Sequence, residues 1–224
     1  WGTEWNNNTL TDYTIGIDTI DRMVAKMKGQ PWPIYKIKLG TTEDISIVEA
    51  LRKHTNAILR VDANAGWTVD EALQLIPALK ELGVELVEHP LAKKNWEGMK
   101  KLYETSALPL IADESCVFEA DVEKCKGHFH GINIKLTKCS GPTPALRMIR
   151  KARELGMKVM MGSMNESTIG SAAIAHFLPQ LELADIDGPL LLARDIAAGL
   201  TFHNGSVSVS HRPGLGIDYL RGDQ

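Results

Sequence analysis

The stretch Ile58-Leu59-Arg60-Val61-Asp62-Ala63-Asn64 is a β-prone run that ends in a carboxylate and an amide two residues apart. The same pattern recurs twice, because residues 84–87 lead into Glu88 and residues 108–112 lead into Asp113. The three acids follow one another at spacings of 26 and 25 residues. Three buried runs that each stop at an acid indicate a closed sheet with the acids collected at one rim.

Similar intervals of 22 to 28 residues separate the polar ends of the predicted strands from Lys38 to Asp187. One strand, one helix and two short loops fill such an interval, so the chain is a series of βα units. The predicted strands are residues 13–17, 34–39, 58–62, 84–88, 108–113, 131–136, 158–162 and 181–187. Eight strands alternating with helices predict an α/β fold, a TIM-type (β/α) barrel. An open doubly wound sheet is the alternative, although no GxGxxG or Walker loop follows any strand.

Capping signals mark several of the intervening helices. Thr68 and Glu71 form a capping box, Thr41 and Asp44 form a second one, and Asn95 can cap a helix that runs to residue 104.

Composition limits the classes of partner. The 224 residues are 44% hydrophobic and 24% charged, with a formal net charge of −3, as expected of a soluble globular domain. This charge gives no reason to expect nucleic acid or an anionic membrane as partner, and no apolar run is long enough to cross a bilayer. Three cysteines without a CxxC pair suit reduced thiols in a cytoplasmic protein.

A zinc site is one hypothesis for the cluster Cys125, His128 and His130. These residues surround a predicted helix end and loop, and no fourth ligand is evident. A structural zinc site requires four, so zinc is disfavoured.

The acids Asp62, Glu88 and Asp113 come from three consecutive predicted strands, which lie about 5 Å apart. Carboxylates so close repel one another unless a cation neutralises them. Hard oxygen ligands favour one Mg²⁺ per site, with Mn²⁺ as a substitute, and Asn64 could support them. The alternative is that the acids are solvated or paired with lysines.

Three lysines complete this candidate site. Lys36 and Lys38 alternate on the second strand, and Lys135 ends the sixth, on the opposite side of an eight-stranded barrel. Lys38 and Lys135 would therefore face each other across the metal. Lys36 and the metal would lower the pKa of a lysine base. Alternatively, Lys36 is an edge residue with its ammonium group in water.

Together these motifs resemble the enolase superfamily, in its subgroup similar to muconate-lactonising enzymes. The matching residues are Lys36-Ile37-Lys38, Asp62-Ala63-Asn64, Val87-Glu88-His89-Pro90, Ala112-Asp113-Glu114-Ser115 and Ile134-Lys135. The resemblance implies a modified (β/α)7β barrel and an N-terminal capping domain. No cap sequence precedes Trp1, so we expect the capping domain to be absent from this chain. Residues 1–12 would be a linker or a remnant of that cap, and residues 13–224 the catalytic barrel.

Asp185-Ile186-Asp187 resembles the DxD motif of the dipeptide epimerase family, whose two acids hold the substrate's α-ammonium group. The resemblance also implies substrate contacts by Ser163 and Asn165 on the seventh loop and by Thr14. The alternative for the DxD motif is a helix cap plus a buried acid.

The implied activity is a Mg²⁺-dependent epimerisation of a dipeptide at the α-carbon of its C-terminal residue. Lys36 would lie near the substrate carboxylate, and Lys38 and Lys135 would remove and return the proton through an enediolate. N-acylamino acid racemase, o-succinylbenzoate synthase or cycloisomerase activity is the nearest alternative, and a non-catalytic peptide binder is a second. The expected partner is a dipeptide, and a homo-oligomer stays open.

Overall fold

A computed structural model describes residues 9–220. The strands are β1 (Tyr13–Ile15), β2 (Ile34–Lys38), β3 (Ile58–Asp62), β4 (Val84–Glu88), β5 (Leu110–Ala112), β6 (Gly131–Ile134), β7 (Lys158–Gly162), β8 (Leu183–Asp185), β9 (Ala197–Ala198), β10 (Leu200–His203), β11 (Ser206–Val209) and β12 (Asp218–Tyr219). The helices are α1 (Ile20–Gly29), α2 (Asp44–Arg52), α3 (Val69–Glu81), α4 (Trp96–Thr105), α5 (Glu119–Cys125), α6 (Pro142–Glu154) and α7 (Thr168–Ala175).

The first eight strands form one parallel sheet in the order of the chain. A single parallel bridge between Thr11 and Ala184 brings the start of this sheet to its end, and Asp12 N donates to Ala184 O over 3.2 Å. We call this junction the seam. The sheet is therefore a nearly closed barrel, which confirms the predicted fold and excludes the open sheet.

Apolar side chains pack on both faces of the barrel sheet. Inside, Leu86, Ile111, Met160 and Leu183 form their own buried cluster, while the larger core lies mostly between strands and helices. The interior is therefore filled with side chains, and a ligand can enter only at its ends.

The chain after β8 departs from the strand–helix alternation. A short 3₁₀ helix, Gly188–Leu191, follows β8, and two small antiparallel pairs, β10 with β11 and β9 with β12, come after it. This arrangement agrees with the predicted (β/α)7β form. Within residues 9–220, no helix is long and apolar enough to cross a membrane.

Most of the region predicted to be a linker, residues 1–12, lies outside the described residues. The described part, residues 9–12, packs against the barrel: Thr9 Oγ1 donates to Leu181 O over 2.8 Å, and Thr11 and Asp12 are completely buried.

The capping predictions have mixed outcomes. The capping box of Thr68 and Glu71 is present, and Asn95 accepts from Gly98 N at the start of α4. The box of Thr41 and Asp44 is wrong, because α2 begins at Asp44 itself.

Asp44 instead joins two loops at the end of the barrel where β2 and β3 terminate. Its carboxylate accepts from Thr41 N and Thr41 Oγ1, each over 2.8 Å, from Gly40 N over 3.0 Å, and from the indole Nε1 of Trp67 over 2.7 Å. The two loops also approach each other closely at Gly40 and Gly66. A Cβ on Gly66 would lie 3.1 Å from Gly40 Cα. This Asp44 clasp holds the loops that follow Lys38 and Asp62.

Candidate active site

A cavity of about 400 Å³ opens at the C-terminal end of the barrel strands. It is lined by residues from β1, β2, β6, β7 and β8 and the loops that follow them: Thr14, Lys36, Lys38, Lys135, Ser163, Met164, Asn165, Asp185, Asp187 and Leu191. All eight non-metal residues of the predicted site line this one cavity.

The three predicted metal ligands stand beside one another at the ends of adjacent strands. Asp62 and Glu88 are register partners on β3 and β4, and Asp113 follows β5 directly. All three are buried. The βα repeat positions them, since each acid ends or directly follows a strand of the barrel.

Lys36 lies among carboxylates from three strands. Its Nζ is 2.6 Å from Asp185 Oδ2, 2.8 Å from Glu88 Oε2 and 3.2 Å from Asp62 Oδ2. Burial lowers the pKa of Lys36, but these carboxylates raise it to a net value well above the ordinary one. Lys36 is therefore a buried, charged residue, and the alternative of an edge lysine is wrong.

Lys38 and Lys135 each contact a different acid. Lys38 Nζ lies 2.7 Å from Asp62 Oδ2 and 3.1 Å from Asn64 Oδ1, while Lys135 Nζ lies 2.9 Å from Asp113 Oδ2. Burial and Lys36 lower the pKa of Lys135, but Asp113 and Glu88 raise it further, so it is above its ordinary value. A lowered pKa was expected for a lysine base. The pKa of Lys135 is not lowered while Asp113 contacts its ammonium group.

We call Asp62, Glu88 and Asp113 the acid row. Within it, Glu88 has the carboxylate with an oxygen that lacks a hydrogen bond. Its Oε1 accepts from Asn133 Nδ2 over 2.8 Å, whereas Oε2 has no aligned hydrogen bond despite its ion-pair distance to Lys36. Burial and the neighbouring Asp62 raise the pKa of Glu88 to about 7. A buried carboxylate of this kind, beside two others, fits the donor set of a hard divalent cation.

Within residues 9–220, no three acidic, histidine or cysteine side chains already converge as a set of metal ligands. The ammonium groups of Lys36, Lys38 and Lys135 contact the acid row instead. The structure gives the zinc hypothesis no support: Cys125 is buried, and His130 Nδ1 accepts from Leu110 N over 3.0 Å.

The DxD acids come together although only Asp185 belongs to β8. Asp185 contacts Lys36, and Asp187 Oδ2 accepts from Thr14 N over 2.6 Å. Burial and the charge of Asp185 raise the pKa of Asp187 to about 6. Asp187 precedes the 3₁₀ helix, but its side chain makes no capping hydrogen bond there. The alternative of a helix cap is therefore wrong.

The remaining predicted contacts differ in exposure. Ser163 is buried, and its Oγ accepts from Gly188 N over 3.3 Å, whereas Asn165 is exposed at the cavity. Asn64 is also exposed, with a positive φ of 43° that ends the strand direction after Asp62.

The sequence did not assign two residues that touch the acid row. Lys138 Nζ lies 2.7 Å from Asp113 Oδ1, and Asn133 holds Glu88. The sequence predicted that Asn133 faces the same way as Lys135, because it precedes Lys135 by two residues on a strand, but not its contact with Glu88. Lys138 lies in a turn, where no periodicity predicts a direction.

A nearly closed parallel barrel with carboxylates and lysines at the C-terminal ends of its strands defines an enzyme-type barrel site. A family model described as "Enolase C-terminal domain-like" matches residues 18–222. The chain belongs to this family.

Its relatives include dipeptide epimerases. It is 57% identical over 220 residues to an L-Ala-D/L-amino acid epimerase of Flavobacterium johnsoniae, covering 98% of this chain and 66% of the relative. Among solved structures, a substrate-liganded L-Ala-D/L-Glu epimerase from Bacillus subtilis matches with a TM-score of 0.88 and 33% identity, over 93% of this chain and 63% of that one. A dipeptide epimerase from Cytophaga hutchinsonii, complexed with Mg and D-Ala-L-Val, matches with a TM-score of 0.89 and 30% identity, over 95% of this chain and 62% of that one. The chain thus spans slightly less than two thirds of the length of these relatives.

Proposed function

We propose that this chain is the catalytic barrel of a Mg²⁺-dependent dipeptide epimerase that inverts the α-carbon of the C-terminal residue. The observation that carries the proposal is one cavity lined by both Lys38 from β2 and Lys135 after β6, each of which contacts an acid of the row. The DxD carboxylates Asp185 and Asp187 line the same cavity. Lysines on opposite walls suit a reaction that takes a proton from one face of a carbon and returns it to the other.

Asp62, Glu88 and Asp113 would hold the cation. Mg²⁺, with Mn²⁺ as substitute, would supply positive charge next to the substrate carboxylate and offset the repulsion within the row. The relative from Cytophaga hutchinsonii was solved with Mg and a dipeptide, which supports this choice.

The three lysines of the site would have different roles. Lys36, fixed by carboxylates of three strands, would stay charged and bind the substrate carboxylate. One of Lys38 and Lys135 would accept the α-proton on its nitrogen, and the other would donate a proton to the opposite face of the carbon.

Asp185 and Asp187 would bind the dipeptide's α-ammonium group. With its pKa at about 6, Asp187 is largely ionised at neutral pH. Two carboxylates repel the anionic end of an N-acyl amino acid or a muconate, so the racemase, synthase and cycloisomerase alternatives are disfavoured. Thr14, Ser163 and Asn165 would line the same part of the substrate.

The activity test follows the α-proton. The full-length protein is incubated in deuterated water with Mg²⁺ and either L-Ala-L-Glu or L-Ala-D-Glu, and deuterium at the α-carbon is measured. Wild type should exchange and epimerise both. Lys135→Ala should abolish epimerisation but leave exchange of one diastereomer partly intact, whereas the exposed Lys100→Ala on α4 should match wild type.

Full epimerisation by Lys135→Ala would contradict the two-lysine scheme. EDTA separates the enzyme from a non-catalytic binder: exchange should stop on chelation and return with Mg²⁺, whereas a binder would never exchange.

We also propose a cytoplasmic location and no nucleic-acid or membrane partner. Three buried free thiols and a net charge of −3 support this reading.

A further inference from the structure

Asp12 is a completely buried acid directly before β1, two residues from Thr14 of the candidate site. Its Oδ2 accepts from Arg60 Nη1 over 3.1 Å, and Arg60 Nε donates to Glu85 Oε2 over 2.7 Å. The side chain of Glu85 is 37% exposed. The positive charge of Arg60 is therefore already shared with a partly solvated carboxylate.

The other oxygen of Asp12 needs a different account. Among residues 9–220, no N–H or O–H donor reaches Oδ1, which is fully buried. The seam places Asp12 beside Asp185, because Asp12 N donates to Ala184 O over 3.2 Å, and the carboxylate of Asp185 faces Asp12. Two ionised carboxylates are both acceptors only, so a hydrogen bond between them requires a proton on one of them.

The surroundings decide which carboxyl carries the proton. The charged groups that face Asp12 are Asp185, Arg60, Lys36 and Asp187. Asp185 lies 2.6 Å from the ammonium group of Lys36, so its ionised form has a cation of its own. Within residues 9–220, the cation that is hydrogen-bonded to Asp12 is Arg60, which Asp12 shares with Glu85.

The pKa shifts point the same way. Burial and the charge of Asp185 raise the pKa of Asp12 well above its ordinary value. Burial also raises the pKa of Asp185, but the charges of Lys36 and Lys135 bring it below the ordinary value.

We propose that Asp12 is a positioning residue that carries a proton at neutral pH and donates it in a hydrogen bond to Asp185. This bond keeps Asp185 ionised and oriented toward the α-ammonium group of the substrate. The role of Asp185 in that step rests on the proposed function, whereas the shared proton does not.

Asn is the matched replacement, because it retains both bonds without a titratable group. In Asp12→Asn the amide oxygen accepts from Arg60 and the amide nitrogen donates to Asp185. Asp12→Leu has similar size but can do neither. A hydrogen bond to a charged group contributes about 1.5–3 kcal/mol, so Asp12→Leu should raise KM for the dipeptide by about 10- to 100-fold with a smaller change in kcat.

The kinetic test compares the two variants in the full-length, Mg²⁺-loaded protein. Near-wild-type KM for Asp12→Asn together with a raised KM for Asp12→Leu supports the proposal. Equal impairment of both variants, or an unchanged KM in both, overturns it.

An infrared measurement tests the proton without any activity. Wild type labelled with ¹³C-aspartate is compared with equally labelled Asp12→Asn at neutral pH, following the stretching band of protonated carboxyl groups. Loss of one aspartic acid band in Asp12→Asn supports the proposal, and identical bands in both proteins overturn it. This result stands even if the protein proves to have no epimerase activity, so the two proposals fail separately.

Discussion

Removal of the Asp44 clasp should destabilise the barrel more than any ordinary helix-start substitution. Asp44 is buried, and its carboxylate accepts from two backbone N–H groups, a hydroxyl and the buried indole N–H of Trp67. In Asp44→Ala the indole donor would stay unsatisfied, whereas water can reach the more exposed N–H groups of Gly40 and Thr41.

The magnitude follows from these contacts. An unsatisfied buried donor costs about 1–3 kcal/mol, and each lost hydrogen bond that water replaces costs about 1 kcal/mol. Three bonds that water replaces and one unsatisfied indole sum to about 4–6 kcal/mol for Asp44→Ala. Because about 1 kcal/mol shifts Tm by about 2–4 °C in a chain of this size, the expected decrease is about 15 °C. Asp44→Asn keeps one acceptor oxygen and should lose about half as much.

Thermal unfolding followed by far-UV circular dichroism measures this change. The control is Asp21→Ala, since Asp21 is an exposed acid in the first turn of α1. Its loss should cost well under about 1 kcal/mol. The reasoning is refuted if Asp44→Ala unfolds at the same temperature as Asp21→Ala.

Three further perturbations test other parts of the structure. Gly66→Ala would place a Cβ 2.8 Å from a backbone oxygen of its own loop. This substitution should lower the free energy of unfolding, measured with urea, by about 1–3 kcal/mol. The control is Gly16→Ala, which has no atom within 4 Å of its Cβ and should unfold like wild type. Thr68→Ala removes the capping box of α3 and should lower the free energy of unfolding by about 1 kcal/mol, with an unchanged value as the contrary outcome. Asp187 binds its proton more tightly in the folded state, since its pKa rises from 3.8 to about 6. The free energy of unfolding should therefore fall relative to that of Asp187→Asn as the pH rises from about 4 to about 6. Parallel pH profiles of the two proteins would disprove the shift. Calorimetric titration of a dipeptide should also weaken below about pH 6, where Asp187 becomes protonated.

The barrel was predictable because its signal repeats. Each strand is a short apolar run, and register in a parallel barrel places all strand ends at one rim, so Asp62, Glu88 and Lys135 could be assigned to one site from spacing alone. Asp113, Lys135 and Asp187 lie just beyond their strands. Lys135 and Asp187 still line the cavity, and Asp113 contacts Lys135.

What the sequence could not provide depends on contacts between distant segments. Asp12 stands in a polar stretch that looks like a linker, and only the seam with Ala184 buries it. Asp44 has the spacing of a capping box, yet the indole of Trp67, 23 residues away, decides its role. Lys38 and Lys135 were expected to face each other across the metal, and pairing of the acids with lysines was the alternative. Spacing could not decide between the two, because it fixes the strand and not the reach of a long side chain, and the structure shows the pairing.

Residues beside the seam and residues away from it have different proposed roles. Thr14 lies on the first barrel strand and Asp185 on the last, with Asp187 just after it, whereas the acid row lies at the ends of the continuously paired strands β3 to β5. Under the proposed function, exchange of the terminal segments alone would change which amine is recognised, while Lys38 and Lys135, the proposed proton-transfer residues, stay fixed. In such a scaffold, new substrate preferences can arise by variation at the two ends of the barrel sequence.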